Sequence, residues 1–218
     1  MALNKLKFSS LNVTPTAGKT IGFNSSADGL EATFSGGAMT FIKKLTASSS
    51  STLSFVNGSS DVVLDSTYKE YLFTFNNIHS SGDNVTFSFS GRDGGTDYDA
   101  TKTTTFFISG HKEDDGSTHF DYDTGRDIAQ GTGFQKLAYQ SGSGNDENLA
   151  GTLHLFNPSS TTFVKHFISR TVLNTYHDYM FESYVAGYFN VTAAIDAIQF
   201  KMDSGNIDAG TITLYGIN

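Results

Sequence analysis

The closing stretch of the chain constrains the fold more than any other segment. Residues 198–202 alternate between apolar and polar side chains, which is the two-residue period of a half-buried β-strand. The run Asp-Ser-Gly-Asn at 203–206 then favours a turn, because Gly205 tolerates the positive φ that a tight reversal demands. Residues 211–215 alternate again. This pattern predicts that the chain closes on two antiparallel strands paired in one sheet.

Strand signals of the same kind recur along the rest of the chain. Apolar residues alternate with polar ones between clusters of Gly, Ser and Asn, which favour turns. The segments concerned are 39–45, 52–56, 71–75, 85–89, 102–108, 153–156, 163–170 and 176–186. The one helical signal is a single turn at 192–196. For a chain of 218 residues this spacing predicts an all-β fold, an antiparallel β-sandwich with long loops and little helix.

The N-terminal 38 residues are rich in Ser, Thr and Gly and carry weaker strand signals. These signals lie at 6–11, 21–23 and 30–34. The Gly-Gly pair at 36–37 is a predicted hinge before the first firm strand. Two interpretations stay open for this segment. Either it completes one sandwich domain over 1–218, or it is an arm (1–38) that makes an assembly contact beside a sandwich domain at 39–218.

The composition excludes several classes of protein. The chain has no Cys, which excludes disulfides and thiolate metal sites. It has 22 acidic and 14 basic residues, a formal net charge of -8, which argues against binding nucleic acid or anionic membranes. No apolar run reaches the length of a signal peptide or a transmembrane span. We therefore expect a protein made in a cytoplasm without a signal peptide, and not inserted in a membrane.

The sequence carries none of the common catalytic motifs. It lacks the Gly-X-Ser-X-Gly elbow of serine hydrolases and the glycine loop that binds phosphates. It also lacks the Glu-X-Asp-X-X-Glu run of sandwich glycanases, to which Asp121-Tyr-Asp123 is the nearest match. We therefore predict a non-enzymatic protein with no catalytic residues and no cofactor.

Carboxylates are concentrated in the middle of the chain, between Gly91 and Asp127. Such groups are hard oxygen ligands of the kind that Ca²⁺ prefers. The candidates are Asp93, Asp97, Asp99, Asp114, Asp115, Asp121 and Asp123. Their spacing does not follow the calcium-binding loop of EF-hands, and neighbouring Lys and Arg side chains neutralise part of the charge. The prediction is a solvated loop without metal, with calcium binding as the alternative.

Tyrosines form the second group of candidate site residues. A tyrosine presents an apolar ring with a polar tip, which suits both saccharide binding and protein interfaces. The candidates are Tyr98, Tyr122, Tyr139, Tyr176, Tyr179, Tyr184 and Tyr188. The chain has no Trp, which weakens the case for a stacking platform. The hypothesis is that these residues make ligand or interface contacts.

Five stretches of the sequence are distinctive. They are NKLKFSSL at 4–11, FIKKLTA at 41–47, VLDSTYKEYLFTF at 63–75, LFNPSSTTF at 155–163 and IDAGTITLYGI at 207–217. They resemble a family of virion structural proteins from tailed phages of marine bacteria, particularly those of cyanobacteria. The resemblance covers nearly the whole chain and is poorest at 91–150. The ending is similar to the close of jelly-roll modules on phage particles.

The resemblance implies a jelly-roll-like β-sandwich on the exterior of a virion, with no functional residue carried over. The role expected first is capsid decoration, a head fibre or another accessory particle protein. The alternatives are a tail fibre or receptor-binding protein that recognises host-surface glycans, and a carbohydrate-binding module. The implied partners are major capsid or tail proteins, and further copies of the chain in a trimer or another symmetric oligomer.

Overall fold

The computed structural model describes residues 20–23, 26, 30–34 and 38–218. The chain divides between Thr40 and Phe41 into two units. In the N-terminal unit, strands β1 (Thr20–Phe23) and β2 (Leu30–Phe34) pair in an antiparallel sheet, which confirms two of the predicted strands. The predicted strand at 6–11 and the hinge at 36–37 lie outside the described residues. The assembly contact of 1–38 stays a prediction.

The remaining strands form two antiparallel sheets. In chain order they are β3 (Met39–Thr46), β4 (Leu53–Val56), β5 (Glu70–Ser80), β6 (Phe87–Arg92), β7 (Lys102–Lys112), β8 (Thr118–Tyr122), β9 (Gln135–Lys136), β10 (Leu149–Phe156), β11 (Lys165–Asn174), β12 (Tyr179–Phe189), β13 (Ala197–Met202) and β14 (Ile207–Ile217). The larger sheet has eight strands in the order β3-β14-β5-β10-β11-β12-β7-β8, and the smaller has four in the order β4-β13-β6-β9. The two sheets pack face to face, which confirms the predicted all-β sandwich.

Eight of these strands have the connectivity of a jelly roll. The first of the eight pairs with the last, the second with the seventh, the third with the sixth and the fourth with the fifth. These pairs are β3–β14, β4–β13, β5–β10 and β6–β9, and they alternate between the larger and the smaller sheet. Rolling a long antiparallel ribbon across two sheets produces this order. The strand pairing therefore confirms the jelly-roll expectation.

The other four strands are insertions that widen the larger sheet only. β7 and β8 are inserted between β6 and β9, and β11 and β12 between β10 and β13. They continue the sheet beyond β10 in the order β11-β12-β7-β8, and we call these four strands the extension. The smaller sheet ends at β9, so loops rather than strands cover the far part of the core-facing side of the extension. This arrangement leaves room for a cleft.

The core between the sheets is dominated by phenylalanine. Phe200 of β13 is fully buried, and its ring centroid lies 5.4 Å from that of Phe73 and 5.3 Å from that of Phe75, both in the opposite sheet. Phe87 of β6 stacks on the same ring at 5.7 Å. Edge-to-face and stacked pairs add to the stabilisation that burial gives. The alternation in 71–75 and 198–202 thus assigned the core-facing side correctly.

Two expectations from the sequence are wrong. β13 and β14 are not paired with each other, because β13 lies between β4 and β6 and β14 lies between β3 and β5. Residues 203–206 therefore cross from one sheet to the other, with Gly205 at a φ of 70°. Residues 192–196 form an irregular connection and no helical turn.

In the described part of the chain, no helix is long and apolar enough to cross a membrane.

Candidate functional site

An open cleft lies on the core-facing side of the extension, where the smaller sheet no longer covers it. Its volume is about 650 Å³, within the usual range of small-ligand sites. Strands β7, β8 and β12, the turn between β11 and β12 and the loop after β9 all contribute to it. The lining residues are Lys112, His119, Tyr139, Gln140, Thr175, Tyr176, His177, Asp178, Tyr179 and Phe181.

Aromatic rings form the centre of the cleft. The Phe181 ring packs against the Tyr139 ring at 4.5 Å between centroids and against the Tyr179 ring at 5.3 Å. The His119 ring of β8 lies 5.6 Å from the Phe181 ring. Phe181 occupies the space beside Gly110 of β7, where a Cβ atom would come within 2.2 Å of the ring. Phe181 itself is buried, and the partly exposed rings of Tyr139 and Tyr179 pack on it.

Tyr176 is held at the rim of the cleft by a tight turn. The Thr175 N–H donates to the carbonyl of Tyr179 at 2.9 Å, and the Thr175 hydroxyl accepts from the N–H of Tyr179 at 3.2 Å. The carbonyl of Asp178 accepts from the Glu113 N–H at 2.9 Å, which ties the turn to the end of β7. The backbone is thus fixed, and the Tyr176 side chain is left 45% exposed.

Tyr139 is held in place by Arg126. The guanidinium carbon of Arg126 lies 4.1 Å from the centroid of the Tyr139 ring, which is a cation–π distance. Arg126 also pairs with Asp123, and its backbone carbonyl accepts from the Gln135 amide at 3.0 Å. The loop before β9 therefore positions a ring in the loop after β9.

Polar groups of both signs surround the rings. The Lys112 ammonium donates to Asp114 at 2.6 Å, which raises the pKa of Lys112 and lowers the pKa of Asp114. Both groups are therefore charged at neutral pH, and they offset each other. Asp178 and Gln140 add a carboxylate and an amide to the lining. This mixture fits a ligand with apolar faces and several hydroxyl groups better than a strongly charged ligand.

Ser117, His119 and Asp121 on β8 and its preceding turn have the residue types of a catalytic triad. The Ser117 hydroxyl lies 3.4 Å from Nε2 of His119, and Nδ1 of His119 lies 3.4 Å from the Asp121 carboxylate. Both distances are long for the hydrogen bonds that activate a nucleophile. The Asp121 side chain is also 61% exposed, so water screens its effect on the imidazole. In this structure the three residues therefore do not form a tightly hydrogen-bonded triad.

The seven predicted tyrosines fall into three locations. Three of them line the cleft: Tyr139, Tyr176 and Tyr179. Three others project from the opposite side of the extension, which we call the outer face: Tyr122, Tyr184 and Tyr188. There the Tyr184 ring stacks on Phe107 at 4.7 Å. Tyr98 lies in the connection between β6 and β7 and is not among the residues that line the cleft.

The seven candidate carboxylates do not converge on one point. Asp115 lies 2.9 Å from His111, and Asp123 pairs with Arg126. Within the described ranges, no three His, Cys, Asp or Glu side chains come close enough together to hold a metal ion.

Sequence reasoning missed several residues of the cleft, chiefly Phe181, Lys112 and Gln140. The alternation of Tyr179 and Phe181 directly after a turn was an available signal, but it did not distinguish a cleft from ordinary core. Comparison with protein-family models, with curated proteins and with solved structures finds no match for this chain. The case for a function therefore rests on the residues themselves.

Proposed function

We propose that this chain is a non-enzymatic saccharide-binding protein whose ligand occupies the aromatic cleft. The observation that carries the proposal is the pair of partly exposed rings of Tyr139 and Tyr179, which pack on the buried Phe181 ring, with Tyr176 exposed at the rim. A sugar ring presents apolar C–H groups on its faces and hydroxyls around its edge. It is therefore complementary to flat aromatic rings surrounded by hydrogen-bonding groups.

The polar groups of the cleft match the edge of a sugar. The Asp178 carboxylate is an acceptor, the Gln140 amide is both donor and acceptor, and the Lys112 ammonium is a donor. The Lys112 charge is already offset by Asp114, and the whole chain carries a net charge of -8. Anionic saccharides are disfavoured by this balance. The proposed ligand class is a neutral glycan.

On a virion, this activity corresponds to the receptor-binding alternative, in which an exterior protein recognises host-surface glycans. The frame of the protein is a jelly roll, and the cleft is built on inserted strands and loops. Binding sites are commonly placed in this way, on variable segments that a rigid scaffold positions. The same cleft would serve a carbohydrate-binding module, and the particle context distinguishes the two.

Glycan-array binding followed by calorimetry tests the proposal. We expect the wild-type chain to bind neutral glycans and Tyr176→Ala to weaken binding about tenfold or more, because the exposed ring is lost. Tyr188→Ala, which removes a tyrosine ring from the outer face, is the matched control and should bind like the wild type. A wild-type chain that binds no glycan, or equal losses in both variants, contradicts the proposal.

The outer face supports a second candidate function, the structural role on a particle that the resemblance implies. Ile168, Val172 and Met180 project from this face and are 53%, 42% and 52% exposed. Apolar groups gathered on one side of a sheet favour contact with another protein surface. Cryo-electron microscopy of the particle tests this candidate. Density for this chain over the capsid, with the outer face against it, is expected, and density confined to a tail tip contradicts decoration.

A further inference from the structure

We propose that strand β8 joins two copies of this chain, running antiparallel to its own counterpart across a two-fold axis at Phe120. Among the described residues, β8 is the terminal strand of the larger sheet, and four of its five side chains are exposed. A terminal strand carries a row of backbone groups that can pair with another strand. This proposal concerns assembly and does not rest on saccharide binding.

The hydrogen-bond pattern of the β7–β8 ladder defines which backbone groups are available. The Lys112 N–H donates to Ser117, and the Asp123 N–H donates to Phe106, each at 2.9 Å. Hydrogen-bonded and non-hydrogen-bonded pairs alternate along an antiparallel ladder. Between these two hydrogen-bonded pairs, every second residue of β8 is therefore in a non-hydrogen-bonded pair, and its N–H and C=O groups point away from β7. These residues are Thr118, Phe120 and Tyr122.

These three residues are the ones that a two-fold axis at Phe120 brings together. Phe120 would lie opposite Phe120 of the second copy, and each Thr118 would lie opposite a Tyr122. All of these are hydrogen-bonded pairs, and each exchanges two N–H···O=C bonds. The free backbone groups of the strand are thus satisfied by its own counterpart.

The side chains of β8 are complementary to themselves in the same register. Each His119 would lie opposite Asp121 of the second copy, a favourable cross-strand pair that occurs twice. The aromatic contacts also continue, since the Phe107 ring stacks on Tyr184 at 4.7 Å and lies 6.3 Å from Phe120. Phe120 is 78% exposed, and its counterpart would extend this row across the axis.

A second copy fits this edge better than an unrelated strand because the five residues supply their own complement in charge and size. β8 also lacks the Lys and Pro residues that protect many sheet edges. Five residues bury little surface, so we expect association in the micromolar range. His119 lines the cleft, and so dimerisation would place two clefts side by side on one continuous sheet.

Sedimentation velocity from about 1 µM to 1 mM, without saccharide, tests the association. The mass should rise with concentration toward twice the 23.5 kDa of the monomer. Hydrogen exchange provides a local measurement, because the amides of Thr118, Phe120 and Tyr122 should become protected as the dimer forms. A chain that stays monomeric overturns the proposal, as does a dimer in which these amides exchange as fast as in the monomer.

Two sets of variants test the register. Phe120→Pro removes an N–H that β7 does not use, so the fold should persist, as circular dichroism would show, and the dimer should be lost. His119→Asp opposes two carboxylates and should weaken the dimer about tenfold, whereas His119→Asp combined with Asp121→His restores the cross-strand pair. If the dimer still forms in Phe120→Pro, or if the double variant dimerises as weakly as the single one, the contact lies on another surface or in another register.

Discussion

Lys102 of β7 and Lys165 of β11 are both fully buried. Each is the cross-strand partner of Phe189, because β12 lies between β7 and β11 in the larger sheet. The Lys102 ammonium donates to the Gly133 carbonyl at 2.7 Å, and the Lys165 ammonium donates to the Val191 carbonyl at 2.9 Å. These carbonyls lie in the loops that lead into β9 and β13, two strands of the smaller sheet. The two lysines therefore connect the extension to the opposite layer of the sandwich.

Burial gives Lys102 a measurable effect on stability at high pH. Burial lowers the pKa of Lys102 from 10.5 to about 8, although Asp99 and Asp93 oppose the shift. Above pH 8 the unfolded chain still binds a proton at this lysine that the folded protein has released. The contribution of Lys102 to the free energy of unfolding should therefore rise with pH, by about 1.5 kcal/mol between pH 8 and pH 9.5.

Urea denaturation of the wild type and of Lys102→Met over this pH window measures the effect. The difference between the two unfolding free energies should grow in favour of the wild type as the pH rises. Equal pH dependence in both proteins would show that Lys102 keeps an ordinary pKa in the folded state.

Phe200 is expected to be among the most costly core residues to truncate. Its ring contacts Phe73 and Phe75 across the sandwich and stacks on Phe87 within its own sheet. Phe200→Ala should lower the free energy of unfolding by about 3–5 kcal/mol, because a cavity would open between the two layers. Phe163→Ala, which removes a ring that is 70% exposed, should cost less than about 0.5 kcal/mol. Guanidinium denaturation compares them, and similar losses would contradict the described core.

Gly110 is expected to control the shape of the cleft. A Cβ atom at this position would lie 2.2 Å from the Phe181 ring, which would have to shift. Gly110→Ala should cost about 1–3 kcal/mol and weaken glycan binding. Gly133→Ala is the matched control, since no atom lies within 4 Å of its Cβ position. Thermal melting and calorimetry provide the two measurements. Unchanged binding in Gly110→Ala would mean that the position of Phe181 is unimportant for the ligand.

Arg126 is expected to support the cleft from outside. Arg126→Met keeps the length of the side chain but loses the cation–π contact with Tyr139 and the ion pair with Asp123, at a cost of about 1–3 kcal/mol. Adding Asp123→Asn removes the carboxylate left without its partner and should recover part of the loss. A double-mutant cycle by urea denaturation separates the two contributions. Additive losses would mean that Arg126 and Asp123 do not interact.

The sequence alone identified part of the cleft, because tyrosine is a residue type that is expected at binding sites. Tyr176 and Tyr179 lie close together in the chain and could be assigned to one locality. The sequence could not show that His119 and Tyr139 lie in the same cleft. The order of the inserted strands places β8 beside β7 and β7 beside β12, and no local pattern reveals that order. Phe181 was indistinguishable from a core residue because it is both: one side packs inward and the other supports the cleft.

The amino-acid sequence by itself predicted most of the strands and their buried side, but it did not predict β8 and β9. A period of two residues reports which side faces the core, and this information is local. The period does not show which strand is the neighbour of a given strand, because strands of both sheets have the same alternation. The tertiary structure decided that residues 203–206 join two sheets. There the Asp203 carboxylate accepts from the Thr86 N–H at 2.8 Å, and the Ser81 hydroxyl accepts from the Asn206 N–H at 2.9 Å. The two connections at 81–86 and 203–206, both of which cross between the sheets, thus hydrogen-bond each other. These contacts join residues more than a hundred positions apart, and no local pattern encodes them.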